Sequence, residues 1–143
     1  MAVISTARTT WTGDLQSGSG HTELATSRAA EFDVHWKARS EGSDSTTTPE
    51  ELLAAAHASC YAMALSKALA DAGATPVVLD VQAQVSFVVG EGVTTSALTV
   101  SGDVDDISVA DFSRVAEEAK AGCPISQALG GVTITLESAS LEQ

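Results

Sequence analysis

An α+β fold, formed as a single domain over residues 1–143, is what the sequence predicts, and three observations predict it. Segments rich in β-branched residues cluster near the N-terminus. One unusually apolar helical stretch, Pro49 to Gly73, occupies the middle. A long hairpin, two helices and a last strand follow it. Strands and helices come in runs rather than in βαβ alternation, so antiparallel sheets packed around the long helix are expected. The length suits one domain with a true core. A hydrophobic content of 44% and a charged content of 18% are ordinary for a globular chain.

Val3 to Trp11 (VISTARTTW) reads as the first strand, and the Gly-Asp and Ser/Gly cluster of 12–20 as a turn. His21 to Ser27 is a weaker strand. Phe32 to Arg39 sets Phe32, Val34 and Trp36 against Asp33, His35 and Lys37, the period-2 pattern of a half-buried strand. Residues 40–48 form a polar loop. The central helix then begins with Thr48 as N-cap, Pro49 at the first helical position, and Glu51 placed to complete a capping box. Glu50 and Glu51 suit the positive end of the helix dipole. Gly73 ends the helix as a left-handed residue and Pro76 prevents its continuation. Between Leu52 and Leu65 only His57 and Ser59 are strongly polar, so the helix is expected to be buried nearly all round.

Val77 to Val89 and Val93 to Val104 make two long strands about the turn Gly90-Glu91-Gly92. Ser108 caps a helix to Ala121 whose apolar stripe is Val109, Phe112, Val115, Ala116 and Ala119. Gly122 ends it, Pro124 opens a short helix (PISQAL), and VTITLESA is the last strand. The N-terminal strands leave open sheet edges, and edges of that kind are usually covered. Together with the apolar helix this points to a homodimer.

A net charge of −12 from 19 acidic and 7 basic residues argues against nucleic acid or anionic membrane as partner. No basic leader with an apolar run is seen, and no run approaches about 18 apolar residues, so a cytoplasmic protein is expected. In a reducing compartment, two cysteines suggest catalysis or redox work before a structural staple.

The groups able to do chemistry are few. Cys60, in the apolar helix, is either inert packing or a thiol held in an apolar pocket. Cys123 stands between Gly122 and Pro124. With Pro124 at the first helical position it becomes an N-cap, beside unpaired N–H groups that favour a thiolate; the alternative is a small buried residue at a tight turn. His57-x-x-Cys60 places two ligands one helical turn apart, and with Cys123 that makes three of the kinds zinc takes. There is no CxxC and no evident fourth ligand. His57 therefore reads as a hydrogen-bonded core histidine, and neither metal nor cofactor is expected.

TTPEELLAAAHASCYAMALS closely resembles the central-helix signature of the OsmC/Ohr family, and AKAGCPISQAL its second, cysteine-bearing signature. The element order is compatible over the whole chain, and HxxC with KAGCP favours the OsmC branch. The resemblance implies an intertwined α+β homodimer with long helices packed centrally, acting as a thiol-dependent peroxidase. Organic hydroperoxides would be its substrates, hydrogen peroxide a lesser one, and an external dithiol its reductant. It implies roles for four residues: Cys60 as the peroxidatic cysteine, Cys123 as the resolving cysteine, Glu50 as the catalytic glutamate and Arg39 as its arginine, with Arg28 as a rival for the last. An always-charged arginine lowers the pKa of a nearby thiol and orients peroxide oxygens, while a glutamate compensates its charge.

Ten residues of helix separate Glu50 from Cys60, about 15 Å of rise, and turn the two roughly 80° apart in azimuth. Glu50 therefore cannot touch Cys60 of its own chain. It acts through Arg39, or it serves the cysteine of a second subunit, and the latter is the expected arrangement. A reading from another class is a non-catalytic homodimer that binds a metal or a small ligand in the same apolar cavity.

Overall fold

The computed structural model describes residues 1–142 and divides into two compact units, Met1–Leu52 and Leu53–Gln143. In the first, β1 (Arg8–Thr12), β2 (Ser19–Glu23) and β3 (Glu31–Val34) form an antiparallel sheet in that order. Gly20 lies opposite both Trp11 and Val34. A Cβ there would stand 2.9 Å from the Trp11 ring and 2.9 Å from a Val34 methyl, so the close strand approach requires glycine. The first strand is shorter than expected; Val3 and Ile4 precede it and are exposed.

The strand expected over Phe32–Arg39 ends at Val34, and Trp36–Glu41 is a helix, α1. His35 turns the chain: its Nδ1 accepts from the Ala38 N–H at 3.1 Å and caps the helix. Gly42, at φ +84°, closes it with its N–H on the Ala38 carbonyl. Alternation through Trp36 was compatible with either structure, and the cap decides. Arg39 is thus helical.

α2 spans Pro49–Asp71. Thr48 Oγ1 accepts from the Glu51 N–H at 3.1 Å, while the Glu51 carboxylate takes the Thr47 hydroxyl at 2.6 Å. At the other end Ala74 N–H bonds Leu69 O and Gly73 N–H bonds Ala70 O, with Gly73 at φ +85°. That is the Schellman arrangement.

In the second unit β4 (Thr75–Val88) and β5 (Gly92–Asp105) are antiparallel, while α3 (Val109–Gly122) and α4 (Pro124–Ala128) lead to β6 (Thr133–Leu141). β6 runs parallel to β5, so this sheet is mixed and not antiparallel as expected. The β5–β6 link carries two helices back along the sheet, the kind of crossover a parallel pair requires. Tyr61, Leu65 and Leu69 of α2, Leu98 and Val100 of β5, and Phe112, Val115, Ala116 and Ala119 of α3 form the core. Val109, expected on the α3 stripe, is 54% exposed, because the first helical residue overhangs the core.

α2 is buried along one stripe, not all round: His57, Tyr61, Leu65 and Leu69 are inside, one helical turn apart, and Met63 is 71% exposed. Its alanines supply apolarity without bulk to bury. By length and composition alone α2 could cross a membrane; Tyr61, Leu65 and Leu69 on it lie in the core. Leu65 has no exposed surface. Leu65→Ala is therefore expected to cost about 2–5 kcal/mol, read as a lowered denaturant midpoint at unchanged slope.

Candidate active site

The two cysteines come together within the second unit. Cys60, at mid-α2, is half-buried; Cys123, between α3 and α4, is fully buried; no disulfide joins them. Gly122 ends α3 and Pro124 begins α4, so Cys123 is C-cap of one helix and N-cap of the next. Its sulfur makes no short capping bond. The α4 N–H groups of Ser126 and Ile125 and the Ser126 hydroxyl nonetheless bear on it electrostatically, and Cys60 packs against the cluster that contains it.

Burial pushes the Cys123 thiol up, but the Ser126 N–H, the Cys60 thiol, the Ser126 hydroxyl and the Ile125 N–H together outweigh it. Its pKa ends below the ordinary value. For Cys60, burial pushes upward, the Ile125 N–H pulls down, and the Cys123 sulfur pushes upward again, leaving a net rise. Of the two thiols it is Cys123, on the side where the helix N–H groups lie, whose ionisation is favoured over that of Cys60.

In the first unit Arg39 and Glu50 form an ion pair. Arg39 Nε and an Nη donate to the same Glu50 oxygen, Oε1, at 2.9 and 2.7 Å. Glu50 is 7% exposed, and its buried carboxylate needs that cation. Of the two arginines considered, the one paired with Glu50 is Arg39. Arg28 lies in the β2–β3 connection at φ +56°, its N–H on the Leu24 carbonyl.

His57 is the core histidine expected. Fully buried, it places Nδ1 2.6 Å from the Ser96 hydroxyl and Nε2 2.8 Å from that of Ser126. Both ring nitrogens are engaged. Among the described residues no three His, Cys, Asp or Glu side chains gather as a metal would require. Ser96 and Ser126 were not singled out from the sequence. The signal for Ser96 is its place in the buried alternation Ser96, Leu98, Val100 of β5, where a polar residue calls for a partner.

An α+β scaffold holding a half-exposed thiol against a buried one at a helix start defines a two-cysteine thiol site. Residues 42–137 match the family model described as OsmC-like protein. The chain is 38% identical over 122 residues to peroxiredoxin OsmC of Escherichia coli, covering 83% of this chain and 85% of that protein. Its fold superposes on the organic hydroperoxide resistance protein OhrB of Bacillus subtilis with a TM-score of 0.71 at 25% identity, over 93% of this chain and 97% of that one. An OsmC-like protein from Mycoplasma pneumoniae shares the fold at a TM-score of 0.73 and 13% identity, over 99% and 100%. The chain belongs to the OsmC-like family.

Proposed function

We propose that this chain is a thiol-dependent peroxidase that reduces organic hydroperoxides, and hydrogen peroxide less readily, using Cys60 and Cys123. The observation that carries the reading is a half-buried Cys60 packed against the buried cluster that contains Cys123. The Cys60 thiolate attacks the O–O bond and becomes a sulfenic acid, while the alkoxide leaves and is protonated to the alcohol. Cys123 then attacks that sulfur, water departs, and a Cys60–Cys123 disulfide remains. An external dithiol restores both thiols by exchange. No cofactor takes part. The lower pKa lies on Cys123, but Cys123 has no exposed surface, so a hydroperoxide arriving from solvent meets Cys60. Access decides the order of events.

In this reading Arg39, held by Glu50, supplies the cation that favours the Cys60 thiolate and orients the peroxide oxygens. The protein works as a cytoplasmic homodimer of single OsmC-like domains. Support for the dimer comes from apolar surface left open in the single chain: Met63 on α2 and Val77 and Val78 on the β4 edge are 71%, 57% and 58% exposed.

The test is hydroperoxide consumption with a supplied dithiol. Cumene or fatty-acid hydroperoxide is expected to turn over with a higher kcat/KM than hydrogen peroxide. Failure to consume any hydroperoxide under these conditions would overturn the reading.

A further inference from the structure

The mechanism above leaves one buried polar chain without a part. It runs from Ser96 Oγ to His57 and from His57 Nε2 to Ser126 Oγ, and Ser126 is the third residue of the short helix whose N-cap is Cys123. Ser96, His57 and Cys123 have no exposed surface and Ser126 only 8%. It joins β5, α2 and α4, which lie far apart in sequence and meet here.

The donor count along this chain is restrictive. A neutral imidazole has one N–H and one bare nitrogen, whereas each serine hydroxyl both gives and takes. If the Ser126 hydroxyl donates to bare Nε2, its oxygen faces Cys123 as an acceptor, ready for the thiol proton. If His57 instead carries a proton on Nε2 and donates it to Ser126, the serine hydrogen is free to point at the sulfur and stabilise a thiolate. The first arrangement suits the Cys123 thiol; the second, with His57 protonated on both ring nitrogens, suits its thiolate.

We infer that His57 is a positioning residue for the resolving half-reaction, taking up the Cys123 proton through the Ser126 hydroxyl as Cys123 attacks the Cys60 sulfenic acid. The step balances. The Cys123 proton passes to Ser126 Oγ as the Ser126 hydrogen passes to His57 Nε2. The electron pair on the Cys123 sulfur forms the new S–S bond as the S–O bond of Cys60 breaks, and the S–O bonding pair leaves with the hydroxide. The proton held at His57 then neutralises that hydroxide, so water leaves and the imidazole is neutral again.

Burial depresses the His57 pKa, so the ring is neutral and able to accept before the step begins. Below the pKa of Cys123 the sulfur still carries its proton, so assistance is worth most at the low end of the pH range. The other titratable groups bearing on the sulfur pair are few. From α2 there is Tyr61, whose phenol burial drives far upward, Glu117 and Cys123 adding to the rise. From α3 Glu117 acts on Tyr61 and is ion-paired to Lys120. α4 contains no titratable side chain, and β5 faces the histidine with Ser96.

The inference rests on the peroxidase reading, and rapid-quench single turnovers separate the two. Reduced full-length wild type, His57→Gln, Ser126→Ala and Ser126→Thr are mixed with one equivalent of cumene hydroperoxide from pH 6.5 to 9.5. Free thiols are alkylated, and mass spectrometry counts sulfenic acid and disulfide. In His57→Gln and Ser126→Ala, Cys60 oxidation is expected at near the wild-type rate. Disulfide formation is expected about ten- to a hundredfold slower at pH 7, with sulfenic acid accumulating. The deficit should close towards pH 9.5, where Cys123 ionises unaided, and Ser126→Thr, which keeps the hydroxyl, should restore the rate. A deficit equal at all pH values would mark misplacement of Cys123 and overturn the relay, as would wild-type disulfide rates in both variants. If His57→Gln does not fold, Ser126→Ala decides. If wild type itself forms no Cys60–Cys123 disulfide, both the function reading and the relay fall.

Discussion

Cys60→Ser is expected to abolish hydroperoxide reduction, whereas Cys123→Ser should still consume about one equivalent per chain and then stop. The asymmetry follows from exposure. Cys60 is reachable and Cys123 is not. Removing the first leaves the only other thiol sealed behind it, despite its lower pKa. Removing the second leaves a thiol that can attack once but has no neighbour to close a disulfide. Its sulfenic acid should react with dimedone and, under excess hydroperoxide, advance to sulfinic acid. Stopped consumption with a dimedone adduct at Cys60 is the expected readout. Sustained turnover of the Cys123→Ser chain with the same dithiol would show that Cys123 does not resolve.

What the sequence disclosed was what neighbouring residues decide. Thr48, Pro49 and Gly73 bound α2 through caps within a few positions of the helix, and the structure uses all three. Gly122-Cys123-Pro124 placed a cysteine at a helix start by the same local logic. α1 was hidden because alternation over 32–37 suits a strand until His35 caps the chain into a helix. The direction of β6 was hidden because no pattern within a strand says from which end the chain returns to it. The serines flanking His57 were hidden by distance, 39 and 69 residues away along the chain. Only tertiary packing makes those pairs; the alternation of β5 marks Ser96 as a buried polar residue but does not name its partner. The partner of Arg39 is intermediate. It lies 11 residues away, across a polar loop, where a charge pair can be guessed from a family signature but not from spacing.

An inactive Cys60→Ser chain mixed with an inactive Arg39→Ala chain is expected to recover about a quarter of wild-type activity. Random pairing makes half the dimers mixed, and each mixed dimer holds one intact site of two. The argument starts from α2, whose rise of about 1.5 Å per residue sets Glu50 some 15 Å from Cys60 along the axis. Glu50 holds Arg39 by two N–H groups on one carboxylate oxygen, so the guanidinium is tied to the start of the helix. A second subunit lying antiparallel along the open face of α2 could bring that end to this cysteine. With shared sites, the chain lacking Cys60 still lends its Arg39 to the Cys60 of its partner. With unshared sites, each half of the mixed dimer lacks one required group and nothing is recovered. Arg39→Ala also leaves the buried Glu50 carboxylate uncompensated, at a cost bounded by about 3–5 kcal/mol for a fully buried pair and reduced here by the 34% exposure of the Arg39 side chain. Each homodimer is therefore checked by thermal melting before mixing. Arg39→Ala combined with Glu50→Ala serves where the single variant is unstable, since it removes both charges together. Differently tagged chains, refolded together and purified through both tags, isolate the mixed dimer. In that fraction the expected activity is about half of wild type, one working site per dimer. A folded, doubly tagged dimer with no activity would place Arg39 and Cys60 of each site on one chain.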